Sequence, residues 1–153
     1  MSVFIEKPSI KEHQLFIHSI LNKSIDEIQF KNQGAYTYVL ENLSKDFGAE
    51  ILKHIETNFP QISFEDMRAF IILNDKYGGT VKSIFTTNKM KLLYCSPSTL
   101  RYILHALLIL NYYKETMCKN VLELGQGYGG LFLAINMFAN KRSEEHTSEL
   151  QSH

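Results

Sequence analysis

The sequence of 153 residues has few of the patterns that mark common metal and disulfide sites. Its two cysteines, Cys95 and Cys118, are far apart and form no metal-ligand spacing. We interpret them as free thiols in a reducing cytoplasm. The six histidines form no H-x-x-x-H or H-E-x-x-H pattern, so the sequence predicts no metal site.

Charge and hydropathy exclude further classes of protein. The chain carries sixteen basic and sixteen acidic residues and has no basic patch, so nucleic-acid binding has little support. No apolar run approaches the ~20 residues that a membrane span requires. Residues 1–7 lack the basic and long apolar regions of a signal peptide. The sequence therefore predicts a soluble cytoplasmic protein without a membrane span.

The most informative stretch is residues 121–130, Val-Leu-Glu-Leu-Gly-Gln-Gly-Tyr-Gly-Gly. A short apolar run predicts a buried strand, the glycines predict a tight turn, and residues 131–138 have the pattern of an amphipathic helix. Strand, glycine turn and helix form the first half of a βαβ unit, which indicates an α/β fold. Glycines in that turn also remove the Cβ atoms that would block a nucleoside ligand.

Two cofactor interpretations of this stretch compete. Gly125, Gly127 and Gly130 satisfy the dinucleotide spacing G-x-G-x-x-G. Glu123, followed by Gly125, Gly127 and Gly129, satisfies the E-x-G-x-G-x-G spacing of S-adenosylmethionine (SAM) methyltransferases. We favour SAM because a carboxylate at the strand end can accept hydrogen bonds from loop amides or from the ligand's ammonium, whereas it would repel a pyrophosphate. A glycine turn without a ligand, with Glu123 as a solvated charge, stays open.

Helical periodicity dominates the chain before residue 114. It predicts helices over residues 9–22, about 33–43, 46–58, 64–73 and 97–113. Ser63 with Asp66 forms a short variant of the capping box, and Ser96 with Pro97 suits the start of the last of these helices. Residues 81–86 are rich in strand-forming side chains and predict a short strand. Residues 74–79 form a polar loop that is either functional or a mere connection. His105 is interpreted as a core or edge histidine.

The predicted organisation is a helical N-terminal region over residues 1–93 and the start of an α/β domain over residues 94–141. Residues 142–153 change character abruptly and resemble a translated sequencing-library adapter. We expect the natural reading frame to end at about Lys141 and the gene to be truncated there. A parallel strand without neighbours leaves backbone groups unpaired, so we expect the C-terminal end to fold poorly alone.

Three segments in succession resemble signatures of the sugar O-methyltransferase family. They are Asn-Asp-Lys-Tyr-Gly-Gly at 74–79, Ser-Pro-Ser-Thr-Leu-Arg-Tyr at 96–102 and Glu-Leu-Gly-Gln-Gly-Tyr-Gly-Gly at 123–130. The resemblance covers about residues 30–139 in the same order and at similar spacing. Thr80 stands where the family usually has proline, and Gln126 stands where glycine or cysteine is usual.

The resemblance implies a SAM-dependent, Rossmann-like methyltransferase whose acceptor is a hydroxyl of a sugar or glycan precursor. The implied cofactor-binding residues are Glu123, Gly125, Gln126, Gly127, Tyr128 and Gly129. Arg101 and Tyr102 are candidate substrate-binding residues. The family's catalytic base, ribose-binding acid and adenine contacts are expected beyond Lys141, so no catalytic residue is assigned and the chain by itself is expected to be inactive.

Two other functions stay open. One is an NAD-linked enzyme that uses Gly125, Gly127 and Gly130, although its ribose-binding acid about 20 residues further on would fall in the adapter-like tail. The other is a non-enzymatic helical interaction module over residues 1–93, on which the glycine turn is incidental.

Overall fold

This computed structural model describes residues 18, 21, 23–24, 27–32, 36–37, 41–116, 120–122 and 127–139. The helix predicted over residues 9–22 and the adapter-like tail therefore lie largely or wholly outside the described residues. A short 3-10 turn, Phe30–Asn32, precedes the regular elements. These are α1 (Lys45–Asn58), α2 (Phe64–Asn74), β1 (Ser83–Thr86), β2 (Leu92–Cys95), α3 (Pro97–Thr116) and α4 (residues 130–139).

Helix α1 confirms the helix predicted over residues 46–58. Ser44 caps it, because its side-chain oxygen accepts a hydrogen bond from the Phe47 amide at 3.2 Å. The apolar stripe that includes Ile51 and Ile55 is buried. The helix ends at Asn58, two residues before Pro60, since a residue that precedes proline is disfavoured in the helical region.

Helix α2 begins with the predicted capping box. The Ser63 side chain accepts a hydrogen bond from the Asp66 amide at 3.1 Å, and the Asp66 carboxylate accepts one from the Ser63 amide at 3.3 Å. Two orphan N–H groups of the first turn are thereby satisfied. The helix extends one residue beyond the predicted Leu73, to Asn74, whose side chain is buried.

A two-stranded antiparallel hairpin follows the polar loop. The strand predicted over residues 81–86 is confirmed as the shorter β1, whereas β2 is an element that the sequence analysis did not identify. Phe85 pairs with Leu93 on the buried face, and Ile84 pairs with Tyr94 on the exposed face. This alternation of inward and outward side chains is the period of a half-buried strand.

Helix α3 begins at Pro97, as predicted, and runs to Thr116 rather than stopping near Tyr113. It packs against α1, and Gly48 of α1 makes this approach possible. A Cβ atom on Gly48 would lie 2.9 Å from the Phe85 ring and 3.1 Å from the Pro97 side chain. Glycine at this position therefore sets the distance between α1 and the junction of the hairpin with α3.

Helix α4 follows the glycine turn and confirms the predicted amphipathic helix. Ala134 and Phe138 are buried, and the Phe138 ring lies 5.9 Å from that of Phe70 on α2. The buried strand predicted ahead of the turn is not found where the chain is described. Val121 and Leu122 have 47% and 84% of their surface exposed and belong to no strand. A parallel strand needs a neighbouring strand to pair with, and no described strand pairs with these two residues.

One hydrophobic core joins all the described helices and the hairpin. The predicted boundary between residues 93 and 94 falls within β2, and residues on both sides contribute to this core. The architecture is a mixture of helices and a small antiparallel sheet, which is compatible with the α/β class, while the Rossmann-like sheet stays a prediction. None of the helices in the described ranges has the length and apolar character needed to cross a membrane.

Candidate functional site

The segments that resemble family signatures meet at one buried or half-buried group of polar side chains, which we call the polar cluster. The C-terminus of α2 and the loop after it enter from one side, the start of α3 from another, and the glycine turn before α4 from a third. Residues near the 3-10 turn complete the group. Its members are Lys31, Glu41, Asn74, Asp75, Ser96, Thr99 and Tyr128.

Asp75 is the acceptor at the centre of the polar cluster. Its Oδ2 accepts a hydrogen bond from the Ser96 amide at 2.9 Å, and its Oδ1 accepts hydrogen bonds from the Thr99 hydroxyl and, at 3.2 Å, from the Asn74 side-chain amide. The same amide group also donates to the Thr99 oxygen at 2.9 Å. These bonds tie the end of α2 to the first turn of α3.

Lys31 is buried, with 1% of its surface exposed. Its Nζ donates a hydrogen bond to the Asn74 carbonyl and lies 4.2 Å from the centre of the Tyr128 ring. Burial lowers the pKa of Lys31, and the negative charges of Asp75 and Glu41 act in the opposite direction. Its backbone amide also donates to the Gly78 carbonyl at 2.7 Å, so this lysine joins the N-terminal segment to the polar loop.

Gly78 allows Lys31 to lie this close to the loop. Its φ of +92° is in the left-handed region, and a Cβ atom there would lie 2.7 Å from Lys31 Cγ and 2.9 Å from the Phe30 ring. The glycine of the polar loop is therefore required by the position of a lysine 47 residues earlier in the sequence. The polar loop therefore contributes to the polar cluster, through the Asp75 carboxylate and the Gly78 carbonyl.

Tyr128 fixes the glycine turn to the polar cluster. Its hydroxyl donates a hydrogen bond to Asn74 Oδ1 at 3.1 Å, and its ring lies 5.5 Å from Phe30 and 5.7 Å from Tyr102. The flanking glycines, Gly127 and Gly129, have φ of 60° and 86°, a conformation that a residue with a side chain adopts only with strain. The side chain of Tyr128 thus points inward, while the backbone of the turn on either side of it lies near the surface.

Glu41 brings a second carboxylate to the polar cluster. Its Oε2 accepts hydrogen bonds from the Ser96 hydroxyl at 2.6 Å and from the Thr80 hydroxyl at 3.1 Å. Its Oε1 is buried and has no hydrogen-bond partner among the described residues. A buried acceptor of this kind costs about 1–3 kcal/mol of stability, so it is an unusual feature of the fold.

The two predicted substrate-binding residues lie beside Tyr128. Tyr102 meets it edge to face, and the Arg101 guanidinium lies 5.7 Å from the centre of the Tyr102 ring. Both belong to the second turn of α3 and are half-buried. The helix therefore brings these predicted residues next to the glycine turn.

Of the predicted cofactor-binding residues, the structure describes Gly127, Tyr128 and Gly129. The others, Glu123, Gly125 and Gln126, lie outside the described residues. Lys31 and Glu41 belong to the polar cluster and were not predicted from the sequence. Nothing in the sequence around either residue indicates burial, because each is brought in by contacts with residues at least 39 positions away.

The sequence predicted free cysteine thiols and no metal site, and the structure bears on Cys95 and on the possible metal ligands that it describes. Cys95 is a free, fully buried thiol, and burial raises its pKa, so it is a poor nucleophile. Cys118 lies outside the described residues. Within the described ranges, no group of three or more His, Cys, Asp and Glu side chains could hold a metal ion.

A groove of about 330 Å³ lies away from the polar cluster, between the start of α2 and the hairpin turn. It is lined by residues 60–65 and by residues of the hairpin turn, among them Lys89 and Lys91, and Glu56 forms part of its wall. Both oxygens of the Glu56 carboxylate there accept a hydrogen bond from the backbone amide of Asn88. None of the predicted site residues that the structure describes lines this groove.

The buried ionisable groups predict how stability depends on pH. Burial raises the pKa of Cys95 above its ordinary 9.0 and those of Tyr36, Tyr102 and Tyr128 above their ordinary 10.0. Between the ordinary and the raised values, the unfolded chain loses protons that the folded chain retains. The free energy of unfolding should therefore fall as pH rises above about 9. Urea unfolding followed by circular dichroism from pH 7 to pH 11 measures this.

Lys31 acts in the opposite direction over part of the same range. The pKa of Lys31 is lowered in the folded chain. At a pH between this lowered pKa and the ordinary 10.5, the unfolded chain therefore binds a proton that the folded chain lacks. The contribution of Lys31 to the free energy of unfolding consequently rises with pH in that range. Because Cys95 and the three tyrosines act in the opposite direction to this single lysine, the free energy of unfolding should still fall as pH rises. In the Tyr128→Phe variant, the free energy of unfolding should fall less steeply with pH. If the stability of the unchanged chain is constant or rises from pH 9 to pH 11, the pKa values of these groups are not raised by burial.

The glycine turn is anchored by Tyr128, which lies beside the rings of Phe30, Tyr36 and Tyr102 and joins a cluster that contains two carboxylates. This arrangement suits the binding of a polar ligand with several hydrogen-bonding groups. Comparisons with known proteins supply no further guidance. No family model, no curated protein and no solved structure matches the chain.

Proposed function

We propose that this chain carries the SAM-binding glycine turn of a methyltransferase whose acceptor is a sugar hydroxyl. The observation that carries the proposal is the backbone of that turn. Gly127 and Gly129 both have left-handed φ values, and Tyr128 between them is anchored to Asn74. The acceptor class comes from the resemblance of the three segments to sugar O-methyltransferases.

The anchored turn has a physical advantage for binding. A ligand that contacts the backbone of a loop must otherwise order that loop, and ordering each residue costs conformational entropy. Here Tyr128 orders the turn in advance, through one hydrogen bond and its contacts with Phe30 and Tyr102. Gly127 is exposed and Gly129 is half-buried, so the backbone at both positions lies near the surface.

The residues of the turn would hold the cofactor by their backbone amides. Glu123, Gly125 and Gln126, which lie outside the described residues, complete the proposed set. SAM supplies a methyl group bonded to a positively charged sulfur, and the protein's part is to place the acceptor oxygen in line with it. Arg101 and Tyr102, next to Tyr128, are the residues of α3 best placed to contact cofactor or acceptor.

Ligand binding tests the proposal on the full chain. Saturation-transfer NMR should detect SAM and should detect NADH much more weakly. Gly129→Ala should reduce the SAM signal and weaken affinity by at least about tenfold, because alanine is strained at a φ of 86° and displaces the turn. Tyr94→Ala, on the exposed face of the hairpin, serves as the control and should bind SAM like the unchanged chain. Binding of NADH without any response to SAM would favour the dinucleotide alternative.

A further inference from the structure

The hairpin has an outer face of apolar side chains that no described element covers. Phe85 and Leu93, on the inner face, are buried in the core. On the outer face, Ile84 is 55% exposed, and Leu92 and Tyr94 are each 63% exposed. A half-buried strand normally places polar side chains toward water, so neighbouring large apolar side chains on that side mark an interaction surface.

The turn between the strands presents a further apolar side chain to solvent. Met90 is 80% exposed, and its φ of 60° is a left-handed conformation that is uncommon for a residue with a side chain. Thr87 holds the turn in this shape. Its carbonyl accepts a hydrogen bond from the Met90 amide at 3.0 Å, and its hydroxyl accepts one from the Lys91 amide at 3.0 Å. We call the four exposed side chains the apolar patch: Ile84, Met90, Leu92 and Tyr94.

The hairpin also carries positive charge without negative charge. Residues 80–95 include Lys82, Lys89 and Lys91 and contain no acid. Among the described residues, neither Lys82 nor Lys89 forms an ion pair, whereas Lys91 lies 3.9 Å from Glu65. The neutral balance of the whole chain therefore hides a local excess of positive charge beside the apolar patch.

Two acids lie near the turn, and both are already engaged. Glu56 and Glu65 line the groove between the turn and the start of α2. The Glu56 carboxylate accepts hydrogen bonds from the Asn88 amide, and the Glu65 carboxylate lies beside Lys91. These contacts leave Lys82 and Lys89 as the free positive charges of the hairpin.

We propose that the hairpin binds the surface of a lipid bilayer that contains anionic headgroups. The apolar patch enters the boundary between headgroups and acyl chains, and Lys82 and Lys89 contact the headgroups. Tyr94 suits this boundary because it joins an apolar ring to a polar hydroxyl, and the Lys82 ammonium lies 5.7 Å from the centre of that ring. The long stem of a lysine covers apolar surface while its charge stays in the polar layer.

The combination of charge and apolar side chains favours a bilayer over other partners. An apolar surface of another protein would match the apolar patch but would give the two lysines no counter-charge. A nucleic acid would match the lysines but would leave the aliphatic side chains in water. An anionic bilayer satisfies both groups. None of the described helices can cross a membrane, so the contact is one at the bilayer surface.

Sedimentation of the full chain with lipid vesicles tests the proposal. Vesicles of phosphatidylcholine are compared with vesicles of a two-to-one mixture of phosphatidylcholine and phosphatidylglycerol. We expect the anionic vesicles to bind the chain at least about tenfold more tightly, since each lysine near an anionic surface strengthens binding about fivefold. This preference should decrease as the salt concentration rises, because salt screens the attraction.

Two pairs of variants separate the apolar and charged contributions. Leu92→Asn should weaken binding to anionic vesicles about tenfold. Ile72→Asn is its control, because Ile72 is similarly exposed, at 56%, but lies on α2. Lys89→Gln should weaken the same binding about fivefold, whereas Lys53→Gln, at an exposed position on α1, should change it little.

All four substitutions are at exposed positions, and circular dichroism checks that each variant folds. Failure of the unchanged chain to bind anionic vesicles would overturn the proposal, and so would equal effects of Leu92→Asn and Ile72→Asn. A dimer that Leu92→Asn dissociates in analytical ultracentrifugation, without vesicle binding, would also overturn it and assign the apolar patch to a second copy of the chain. Vesicle binding does not require SAM, so this proposal and the proposed function can fail independently.

Discussion

Replacing Asp75 with alanine should lower the free energy of unfolding by about 3–5 kcal/mol. The substitution leaves the Ser96 amide without its acceptor and removes a carboxylate that the Thr99 hydroxyl and the Asn74 amide both contact. It also removes a negative charge that raises the pKa of Lys31 and thereby counteracts the effect of burial on that lysine. Buried charges that lose a partner are far more destabilising than surface charges, because water cannot replace the lost interaction.

Urea unfolding at pH 7 measures the effect of Asp75→Ala. Glu65→Ala is the matched control, since this acid forms ion pairs with Arg68 and Lys91 at 3.7 and 3.9 Å but is largely exposed. Exposed pairs contribute about 0–1 kcal/mol, so the control should change stability little. Equal effects of the two substitutions would mean that Asp75 is not the centre of a buried network.

Replacing Tyr128 with alanine should lower the free energy of unfolding by about 2–4 kcal/mol and should also release the glycine turn. The ring has contacts with Phe30, Tyr36 and Tyr102, and its face covers the Lys31 ammonium. Alanine would leave a cavity between these groups and would expose a lysine whose charge is otherwise shielded. We therefore expect proteolysis within residues 120–130 to become faster than in the unchanged chain.

Two further variants separate the ring from the hydroxyl of Tyr128. Tyr128→Phe keeps the ring contacts and removes the hydrogen bond to Asn74, so it should lower stability by about 1 kcal/mol. Tyr94→Ala removes a tyrosine whose surface is 63% exposed and whose ring centre lies 5.7 Å from the Lys82 ammonium. A Tyr128→Ala variant as stable as Tyr94→Ala would show that the turn is held by other contacts.

Local sequence signals suffice to predict most of the helices. Ser63 and Asp66 lie three residues apart and satisfy each other's backbone groups, so the start of α2 is fixed by adjacent residues alone. Pro97 at the first position of α3 works in the same way. Such signals act over three or four residues, which is the range that a sequence pattern can report.

The site itself was only partly predictable. The loop at 74–79, the start of α3 and the glycine turn are each visible as motifs, but their meeting is a tertiary event. Lys31 and Glu41 carry no local signal, because a lysine or glutamate in a polar stretch is usually exposed. Strand β2 was missed for a related reason, since its four residues are recognised by their pairing with β1 and not by length.

The side-chain hydrogen bonds that Lys31, Glu41 and Tyr128 contribute to the polar cluster join residues that are 39 to 55 positions apart, whereas the caps and the hairpin close over short distances. Closing a long loop requires the chain to give up more configurational freedom before any contact compensates for it. The helices and the hairpin can consequently form early from nearby residues, and the binding surface is expected to be among the last parts of the molecule to assemble. A protein folding as it leaves the ribosome would hold Lys31 in water until Asn74 and Gly78 had emerged, and Glu41 until Thr80 and Ser96 had emerged.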